Sequence, residues 1–346
     1  MGILKITIRR LGFTNNLKIN MIYTAESVTA WHIDKICDQI ADAILDECLR
    51  QDKDSRVAVE AIGGHGTVIL VGEITTEACL DYCQIARKTY FDLTKKQIGV
   101  LSNLVVQSPE IAEGVDKGGA GDQGIMTGYA CRENKMSIPQ EMYLARKLLE
   151  PFESDGKSQV TINDGEITDI VLSIQGKSQE ELKNYLINWY GSHLDSCNKE
   201  LPTSYCNNCG SFNIGGLEAD SGCTGRKIVV DQYGPRVPVG GGSFSGKDPT
   251  KVDRSGAYMA RFMALDVLNE SGADEVLVSL GYVIGKSEPI MKTAIINENY
   301  SEFVDLSKYD CRPEAIIERF DLKRPIYLQT ARYGHFGIKN YPWEAV

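Results

Sequence analysis

Apolar and polar positions along the chain alternate between two spacings, one typical of helices and the other typical of strands. From Ile33 to Leu49, apolar residues recur every three or four positions, so we predict an amphipathic helix there. Thr29 is a suitable N-cap for this helix, because its hydroxyl can accept a hydrogen bond from the first turn. Elsewhere, apolar runs bounded by turn residues predict strands at 56–62, 67–71, 100–106, 125–129, 159–162, 170–175, 227–231 and 275–283, and helices at 77–90, 180–190 and 255–269.

The order of these elements indicates the fold class. Strand, strand and helix recur about three times along the 346 residues, and hairpins outnumber crossover connections. This order favours an α+β architecture over a doubly wound parallel sheet. The length exceeds that of one average domain, so we expect two or three packed units.

Composition and charge narrow the function classes. With 42% hydrophobic and 24% charged residues, the chain is typical of a soluble globular protein, and no apolar run approaches the roughly 18–20 residues of a membrane span. Its 37 basic and 47 acidic side chains give a net charge of −10, which argues against nucleic acid or an anionic membrane as a partner. Ten cysteines without a secretory signal indicate reduced thiols and a cytoplasmic location.

Two glycine-rich segments are close to nucleotide-binding motifs but depart from them. Gly119–Gly124 has the letters G-x-G-x-x-G, yet a loop precedes it and a strand-like run follows, which is not the context of a dinucleotide site. Gly241–Asp248 is within one residue of a P-loop, but Asp248 stands where a serine or threonine must hold magnesium. The second segment still suits an oxyanion, because Gly240–Gly242 allow close backbone approach and six basic residues face four acidic ones between 220 and 254. The alternative is a solvated surface loop with scattered ion pairs.

Four blocks of sequence together resemble S-adenosylmethionine synthetase, also called methionine adenosyltransferase. The blocks are TAESV and WHIDKICDQI within 24–40, GEITT at 72–76, GAGDQG at 119–124 and GGGSFSGKDPTKVDRS at 240–255. Shorter matches lie at 155–161, 224–228 and 333–337. All of them occur in the family's order, so the resemblance covers nearly the whole chain, and the longest block is very specific to the family.

The resemblance implies three similar sheet-plus-helix α+β domains around a pseudo-threefold axis. We therefore expect an N-terminal extension at 1–20, an N-terminal domain at 21–110, a lid loop and central domain at 111–214, and a C-terminal domain at 215–346. The loop at 108–119 corresponds to the family's mobile lid. Members of the family pair as homodimers in which both subunits contribute to each active site, and they often assemble further into tetramers.

The resemblance also implies a reaction of ATP, L-methionine and water. The methionine sulfur attacks the ribose 5′ carbon, intact triphosphate leaves, and the same site hydrolyses it to pyrophosphate and phosphate. Triphosphate is strongly anionic, so the site needs cations where charge develops on the leaving group. Carried over onto this sequence, the family's catalytic positions are His32, Lys157, Arg226, Lys247 and Lys251. Its ATP-binding positions are His32, Asp155, Lys157, Ser211, Phe212, Asp220, Arg226, Lys227, Ser243 and Lys247.

Further matches concern methionine and the metal ions. The family's methionine-binding positions are Glu73, Gln107, Asp220 and Lys251 in this chain. Asp34 and Asp253 match its ligands for Mg²⁺, of which two ions are expected per site, and this hard ion takes a few carboxylates together with phosphate oxygens and water. Glu60 matches the position of the family's K⁺ site.

The chain departs from the family's pattern beside the expected substrates. The family's Gly-His-Pro-Asp-Lys becomes Trp31-His32-Ile33-Asp34-Lys35, so a glycine and a proline are lost at the start of a helix. Near the adenine, Ser211 replaces an arginine, and the segments before Gly119 and around 140–205 are shorter. Every charged position assigned to triphosphate or metal is present, so we expect a compact, active synthetase. The alternatives are a triphosphatase that no longer alkylates methionine and a non-catalytic regulatory subunit of the same family.

Overall fold

The computed structural model describes residues 21–107, 118–193, 201–298 and 304–346. The expected extension at 1–20 and positions 108–117 of the expected lid loop therefore lie outside the described residues. Within the described ranges, the helices are α1 Ile33–Gln51, α2 Tyr82–Thr94, α3 Gln140–Leu149, α4 Gln179–His193, α5 Ile228–Asp231, α6 Val252–Ser271, α7 Pro313–Phe320 and α8 Tyr327–Tyr333. The strands are β1 Ile22–Val28, β2 Arg56–Gly64, β3 Thr67–Thr75, β4 Gly99–Val105, β5 Gly124–Cys131, β6 Gly156–Asn163, β7 Glu166–Ile174, β8 Thr203–Cys206, β9 Ser221–Cys223, β10 Glu275–Tyr282 and β11 Met291–Ile296.

These strands form three sheets, each with its own helices. We call them the N-terminal sheet, with strand order β4-β3-β2-β9, the central sheet, with order β1-β6-β7-β8, and the C-terminal sheet, with order β11-β10-β5. Helices α1 and α2 pack on the N-terminal sheet, α3 and α4 on the central sheet, and α6 on the C-terminal sheet. The expected α+β architecture with three sheet-plus-helix units is confirmed.

One pattern of strand, long helix and hairpin recurs three times and relates the three units. β1 leads through α1 to the β2–β3 hairpin, β5 through α3 to the β6–β7 hairpin, and β9 through α6 to the β10–β11 hairpin. The first strand of each round pairs antiparallel with the hairpin of another round, β1 with β6, β5 with β10 and β9 with β2. This cyclic exchange ties the units together and is the order that a pseudo-threefold arrangement requires.

Two sequence predictions of local structure are wrong where distant contacts intervene, and the helix predicted at 77–90 begins only at Tyr82. Helix α1 starts at Ile33 with His32 as its N-cap, whereas Thr29 donates its hydroxyl to the carbonyl oxygen of Ser154, 2.8 Å away. The β-branched run at 227–231 forms the short helix α5 rather than a strand, because Asp231 turns back to pair with the Lys35 ammonium on α1. In both places a contact with a distant segment overrides the local preference.

Helix α1 is the most enclosed element of the fold. Sixteen of its nineteen residues are buried, because it lies between the N-terminal sheet on one side and α2 and α8 on others. The apolar stripe predicted from sequence explains only part of this burial, since four buried aspartates lie along the same helix. Among the described residues, no helix combines the length and the apolar character needed to cross a membrane.

The outer face of the N-terminal sheet, which faces away from α1, carries an exposed apolar row beside polar residues such as Glu60. Ile62 pairs with Ile69 and Ile69 with Leu101 across three neighbouring strands, and these side chains are 43%, 40% and 61% exposed. The corresponding face of the central sheet carries polar residues such as Glu26 and Gln159, which pair with each other. An exposed apolar row of this kind favours contact with another surface.

Candidate active site

The charged residues expected at the site lie in two groups along strand β2. The Lys227 group lies at the start of α1, where Cys223 pairs with Ile62, and the Lys247 group lies where Lys247 bridges to Ala58. Ala58 and Ile62 are four positions apart on β2, which is about 13 Å of extended strand. The Lys227 group consists of His32, Asp34, Asp155, Lys157, Arg226 and Lys227, and the Lys247 group of Lys247, Lys251 and Asp253.

His32 is held as a neutral imidazole with a defined tautomer. Its Nδ1 atom accepts a hydrogen bond from the backbone N–H of Asp34 at 3.2 Å, so the ring proton is on Nε2. Burial, together with the nearby Lys227 ammonium, lowers the pKa of His32 to about 3. The 3.9 Å approach of His32 to the Asp34 carboxylate is therefore not an ion pair at neutral pH. His32 can donate a hydrogen bond through Nε2–H but is not a proton source.

Asp34 is the centre of the Lys227 group. Its carboxylate accepts from the Lys227 ammonium at 2.5 Å and from the backbone N–H of Cys223 at 3.0 Å, and the Arg226 guanidinium lies 3.7 Å away. Burial alone would raise the pKa of Asp34, but the hydrogen bonds from Lys227 and Cys223 outweigh it and hold the pKa below its ordinary value. Asp34 is therefore an ionised carboxylate at neutral pH, and it lies beside two cations.

Asp155 and Lys157 lie at the start of strand β6, close to His32 and Asp34. Asp155 accepts from the backbone N–H of Gly216 at 2.8 Å, and burial raises the pKa of this carboxyl group. Lys157 is half exposed and lies 3.5 Å from Glu26 on the neighbouring strand. Its charge also acts on His32, which it helps to keep neutral.

The Lys247 group is built on the glycine run and the start of α6. The Lys247 ammonium lies 2.5 Å from one oxygen of Asp253, and the other oxygen accepts from the backbone N–H of Gly242 at 2.9 Å. A Cβ atom on Gly240 would lie 2.5 Å from the carbonyl oxygen of Ile125, so only glycine permits this approach of the loop to β5. The near-P-loop segment is thus a turn packed on a strand and followed by the N-terminus of a helix.

Lys251 and Ser243 differ in whether their polar side-chain atoms have a partner. The Lys251 ammonium lies 2.5 Å from the buried carboxylate of Asp248, which also accepts from the backbone N–H of Val57 at 2.7 Å. The Ser243 hydroxyl is buried and has no hydrogen-bond partner among the described residues. Gly225 lies against it, since a Cβ atom there would be 2.7 Å from Cβ of Ser243. Ser243 is therefore a free donor and acceptor beside the turn that carries Arg226.

Among the residues expected to bind methionine, Asp220 lies apart from Glu73, Gln107 and Lys251 within one chain. Glu73 lies on β3 opposite Ala58, and Gln107 follows the end of β4, with its backbone N–H donating to the Thr75 hydroxyl at 3.2 Å. Asp220 is exposed and precedes β9, whose first residue pairs with Gly64. Ala58 and Gly64 are six residues apart on β2, which is about 20 Å of extended strand.

The residues expected on the adenine side and at the K⁺ site lie at the surface. Ser211 is exposed and Phe212 half-buried, and the Phe212 carbonyl accepts from the backbone N–H of Gly176 at 2.7 Å. Glu60 is exposed on the outer face of the N-terminal sheet, opposite Val71.

The departures at the start of α1 have a structural explanation. The indole N–H of Trp31 donates to the carbonyl oxygen of Leu93 at 2.8 Å, which ties the end of α2 to the His32 cap. The Arg332 guanidinium lies 5.9 Å from the Trp31 ring. Ile33 replaces the family's proline and is buried in the core. Packing by Trp31 therefore fixes a helix start that the family's proline presets.

The acidic residues expected to bind metal ions are separate single carboxylates. In the described ranges, no three His, Cys, Asp or Glu side chains come together as a metal-binding group. Mg²⁺ at phosphate sites is usually held by one or two carboxylates, with the remaining ligands supplied by phosphate and water. Asp34 and Asp253 each present one largely buried carboxylate beside lysine, and this donor set fits an ion that is bound together with a nucleotide.

Sequence reasoning missed the residues that hold these turns in place. Asp38 accepts from the backbone N–H of Gly225 at 2.9 Å, and Asp42 accepts from that of Gly246 at 2.8 Å. The available signal was the recurrence of aspartate every fourth residue along α1. An apolar stripe alone does not reveal it, because the aspartates lie between the stripe residues.

Cationic turns, single carboxylates and a neutral histidine are groups that suit a polyphosphate ligand. The family models of S-adenosylmethionine synthetase match the chain in three parts, the N-terminal domain over residues 20–109, the central domain over 117–212 and the C-terminal domain over 214–345. The chain therefore belongs to the S-adenosylmethionine synthetase family.

Curated relatives match over almost their whole length. The chain is 41% identical to the S-adenosylmethionine synthase of Brachyspira hyodysenteriae, with 94% of this chain and 96% of the relative covered. It is 40% identical to those of Pseudothermotoga lettingae, covering 94% and 96%, and Thermus thermophilus, covering 93% and 95%. The first alignment spans 381 positions, which exceeds the 346 residues of the chain, so that relative contains segments that this chain lacks.

Proposed function

We propose that this chain makes S-adenosylmethionine from ATP and L-methionine and hydrolyses the released triphosphate to pyrophosphate and phosphate. The observation that carries the proposal is the start of α1, where a neutral histidine with its proton on Nε2 lies beside the Asp34–Lys227 pair. Family membership supplies the reaction, and these residues supply the groups that it needs. Lys247 and Asp253 form a second ion pair and lie in the block at 240–255, whose sequence is specific to the family.

His32 and the cations have complementary roles in the first step. A lone pair of the methionine sulfur forms the bond to the 5′ carbon as the carbon–oxygen bond breaks, and the electrons of that bond go to the triphosphate. His32 Nε2–H donates a hydrogen bond to the oxygen that leaves, where negative charge develops. His32 enters this step as a neutral hydrogen-bond donor, because burial and the nearby Lys227 ammonium lower its pKa. Lys157, Arg226, Lys227, Lys247 and Lys251 neutralise the triphosphate.

Hydrolysis of the triphosphate follows without a change of cations. Water attacks a terminal phosphorus atom, the phosphoanhydride bond breaks, and pyrophosphate and phosphate remain. Because the anionic charge is largely conserved, the cations that neutralise bound triphosphate also stabilise this second transition state. Ser243 supplies a further hydrogen bond from its otherwise unpaired hydroxyl.

The remaining residues bind the other parts of the substrates. Phe212 stacks on the adenine beside Ser211, and Asp155 and Asp220 bind the nucleoside or the methionine ends, with Glu73 and Gln107 on the ammonium and carboxylate. S-adenosylmethionine synthetases use Mg²⁺ and K⁺. In this chain Asp34 and Asp253 would hold two Mg²⁺ ions, which supply charge neutralisation at the phosphates, and Glu60 would hold K⁺. Domain boundaries at 110 and 214, with an extension at 1–20, complete the proposal.

The active site is shared between two subunits of a homodimer. Glu73 and Gln107 are about 20 Å from Asp220 along β2 in one chain, too far apart to bind one methionine. A twofold axis through the apolar outer face of the N-terminal sheet brings the Lys247 end of one subunit opposite the Lys227 end of its partner. Each active site then contains one group from each chain. Further pairing of dimers gives the tetramer.

The experiment that tests the function compares Lys247→Ala with Lys88→Ala. Lys88 is an exposed lysine of α2 in a surface ion pair with Asp92 and belongs to neither cationic group, so it controls for the loss of a charge. We expect Lys247→Ala to lower kcat by about 100-fold or more and Lys88→Ala to leave it unchanged. Equal activity of the two variants would remove Lys247 from the mechanism. Phosphate release without S-adenosylmethionine in the unmodified protein would instead favour the triphosphatase.

A further inference from the structure

Four aspartates recur every fourth residue on helix α1 and lie along one line of its surface. They are Asp34, Asp38, Asp42 and Asp46, and all four are buried. Carboxylates at this spacing repel one another, and each costs free energy to bury unless it is hydrogen-bonded or paired. We call this row the aspartate ladder. Its members are satisfied by backbone N–H groups of segments far away in the sequence.

The partners of the ladder follow the order of the C-terminal half of the chain. Asp34 accepts from the backbone N–H of Cys223 at 3.0 Å, and Asp38 accepts from that of Gly225 at 2.9 Å. Asp42 accepts from the backbone N–H of Gly246 at 2.8 Å. The last rung, Asp46, accepts from the first two N–H groups of α8, at Tyr327 and Leu328, both at 2.9 Å.

The two middle rungs hold the residues that precede the cations of the site. Gly225 is followed directly by Arg226 and Lys227, and Gly246 is followed by Lys247. We propose that Asp38 and Asp42 are positioning residues, which fix the two cationic turns relative to each other through the rigid helix α1. The proposal rests on the proposed function, because it assumes that those cations bind triphosphate.

Each of the two middle rungs contacts a buried cation, although Lys35 also pairs with Asp231. Asp38 accepts from the Lys35 ammonium at 3.0 Å, and Asp42 accepts from the Arg254 guanidinium at 2.8 Å through both of its oxygens. All four side chains are buried. Because each middle rung has a cation in contact with it, we assign its effect on the site to geometry.

The two glycines leave the turns little freedom to shift. Gly246 has φ of +79°, and a Cβ atom there would lie 1.9 Å from the carbonyl oxygen of Val59. Gly225 has φ of +82°, and its Cβ atom would lie 2.7 Å from Ser243. Loss of an aspartate acceptor forces each turn to find another partner for its N–H, which moves the next residues. Displacement of about 1 Å at a reacting group costs up to about 100-fold in rate.

The test is an isosteric series, Asp38→Asn, Asp42→Asn and Asp46→Asn, in the full chain. Each substitution keeps the shape and replaces one acceptor oxygen by a donor amide. Asp46 is the matched control, since it is buried in the same helix but holds α8 rather than a cationic turn. Three quantities are measured for each variant: the melting temperature, the affinity for inorganic tripolyphosphate by calorimetry, and kcat and KM separately.

We expect the melting temperature to fall in all three variants, because each loses a buried hydrogen bond. The affinity for tripolyphosphate and kcat/KM should fall by about 10- to 100-fold in Asp38→Asn and Asp42→Asn. In Asp46→Asn both should stay within about threefold of the unmodified protein. Unchanged affinity in the two middle variants, or an equal loss in Asp46→Asn, would overturn the proposal.

A second variant covers the case in which a middle rung cannot be replaced without unfolding. Gly225→Ala disturbs the same turn from the other side and leaves α1 intact, so it should show the profile of Asp38→Asn, and unchanged affinity would overturn the proposal. The Lys247→Ala variant distinguishes failure of the proposed function from failure of the ladder alone. If it retains full tripolyphosphate affinity, the proposed function fails, and the role of the ladder fails with it. If it loses affinity while Asp38→Asn and Asp42→Asn do not, the ladder alone fails.

Discussion

Replacement of Leu101 by aspartate should separate the proposed homodimer into subunits. Leu101 is 61% exposed on β4 and lies in the apolar row with Ile62 and Ile69 on the outer face of the N-terminal sheet. Because its side chain makes little contact with its own core, the substitution should leave the fold of one subunit intact. It places a carboxylate in a face that the dimer would remove from water.

The size of the effect follows from the exposed part of the side chain. Complete burial of a leucine is worth about 1.5–3 kcal/mol, and with three-fifths of it still exposed, about 1–2 kcal/mol remains to be gained on association. A twofold interface contains the residue twice, so the loss is about 2–4 kcal/mol before any cost of burying the new charge. At about 1.4 kcal/mol for each factor of ten, the Kd of the dimer rises by about 30- to 700-fold.

The assay is sedimentation equilibrium together with turnover measured over a wide range of protein concentration. We expect Leu101→Asp to shift towards the monomer mass and to lose activity on dilution, because each active site needs both subunits. Ile187→Asp is the matched control, since Ile187 is 50% exposed on α4, away from the N-terminal sheet. A Leu101→Asp protein with unchanged mass and activity at every concentration would refute the shared site.

Four further outcomes follow from the same structure. His32→Asn should lower kcat by about 100-fold, as loss of a single transition-state donor does, and wild-type kcat would exclude His32. Between the ordinary pKa of 6.5 and the folded value of about 3, the His32 side chain binds more protons in the unfolded state than in the folded state. Stability should therefore fall as the pH drops through this window, by about 3 kcal/mol at pH 4. In a urea-unfolding series over pH, His32→Asn should show a flatter dependence than the unmodified protein. Turnover should cease in a chelator and return with Mg²⁺, whereas full activity in the chelator would contradict the roles of Asp34 and Asp253. Gly246→Ala should cost about 2 kcal/mol or more in thermal unfolding, because its Cβ atom meets the Val59 carbonyl at 1.9 Å, and an unchanged melting temperature would count against this packing.

The sequence predicted those elements whose pattern is local. The stripe from Ile33 to Leu49 identified α1 to within two residues, and alternation identified the hairpin of β2 and β3. The N-cap of α1 was wrongly predicted, because the Thr29 hydroxyl finds an acceptor in Ser154, far along the chain. Pairing of β1 with β6 and of β9 with β2 is likewise set by contacts between distant segments, which periodicity does not encode.

The candidate site likewise contains residues that a local motif predicts and residues whose role depends on contacts between distant segments. Motif resemblance named Asp34, Lys227 and Lys247 as site residues, because these residue types at this spacing are specific to one family. It did not identify Asp38 and Asp42, whose importance depends on which loops the fold brings to α1. Nor could it reveal that Glu73 and Asp220 lie at opposite ends of one sheet, which only the register of β2 with its neighbours makes visible.

The proposed synthesis is tested most directly by the stoichiometry of products from the purified protein with ATP, L-methionine, Mg²⁺ and K⁺. Mass spectrometry follows S-adenosylmethionine while pyrophosphate and phosphate are counted in the same samples. We expect equal amounts of all three products, and none of them when methionine is omitted. Phosphate without S-adenosylmethionine, or no product at all, would contradict it, the first in favour of a triphosphatase and the second in favour of a regulatory subunit.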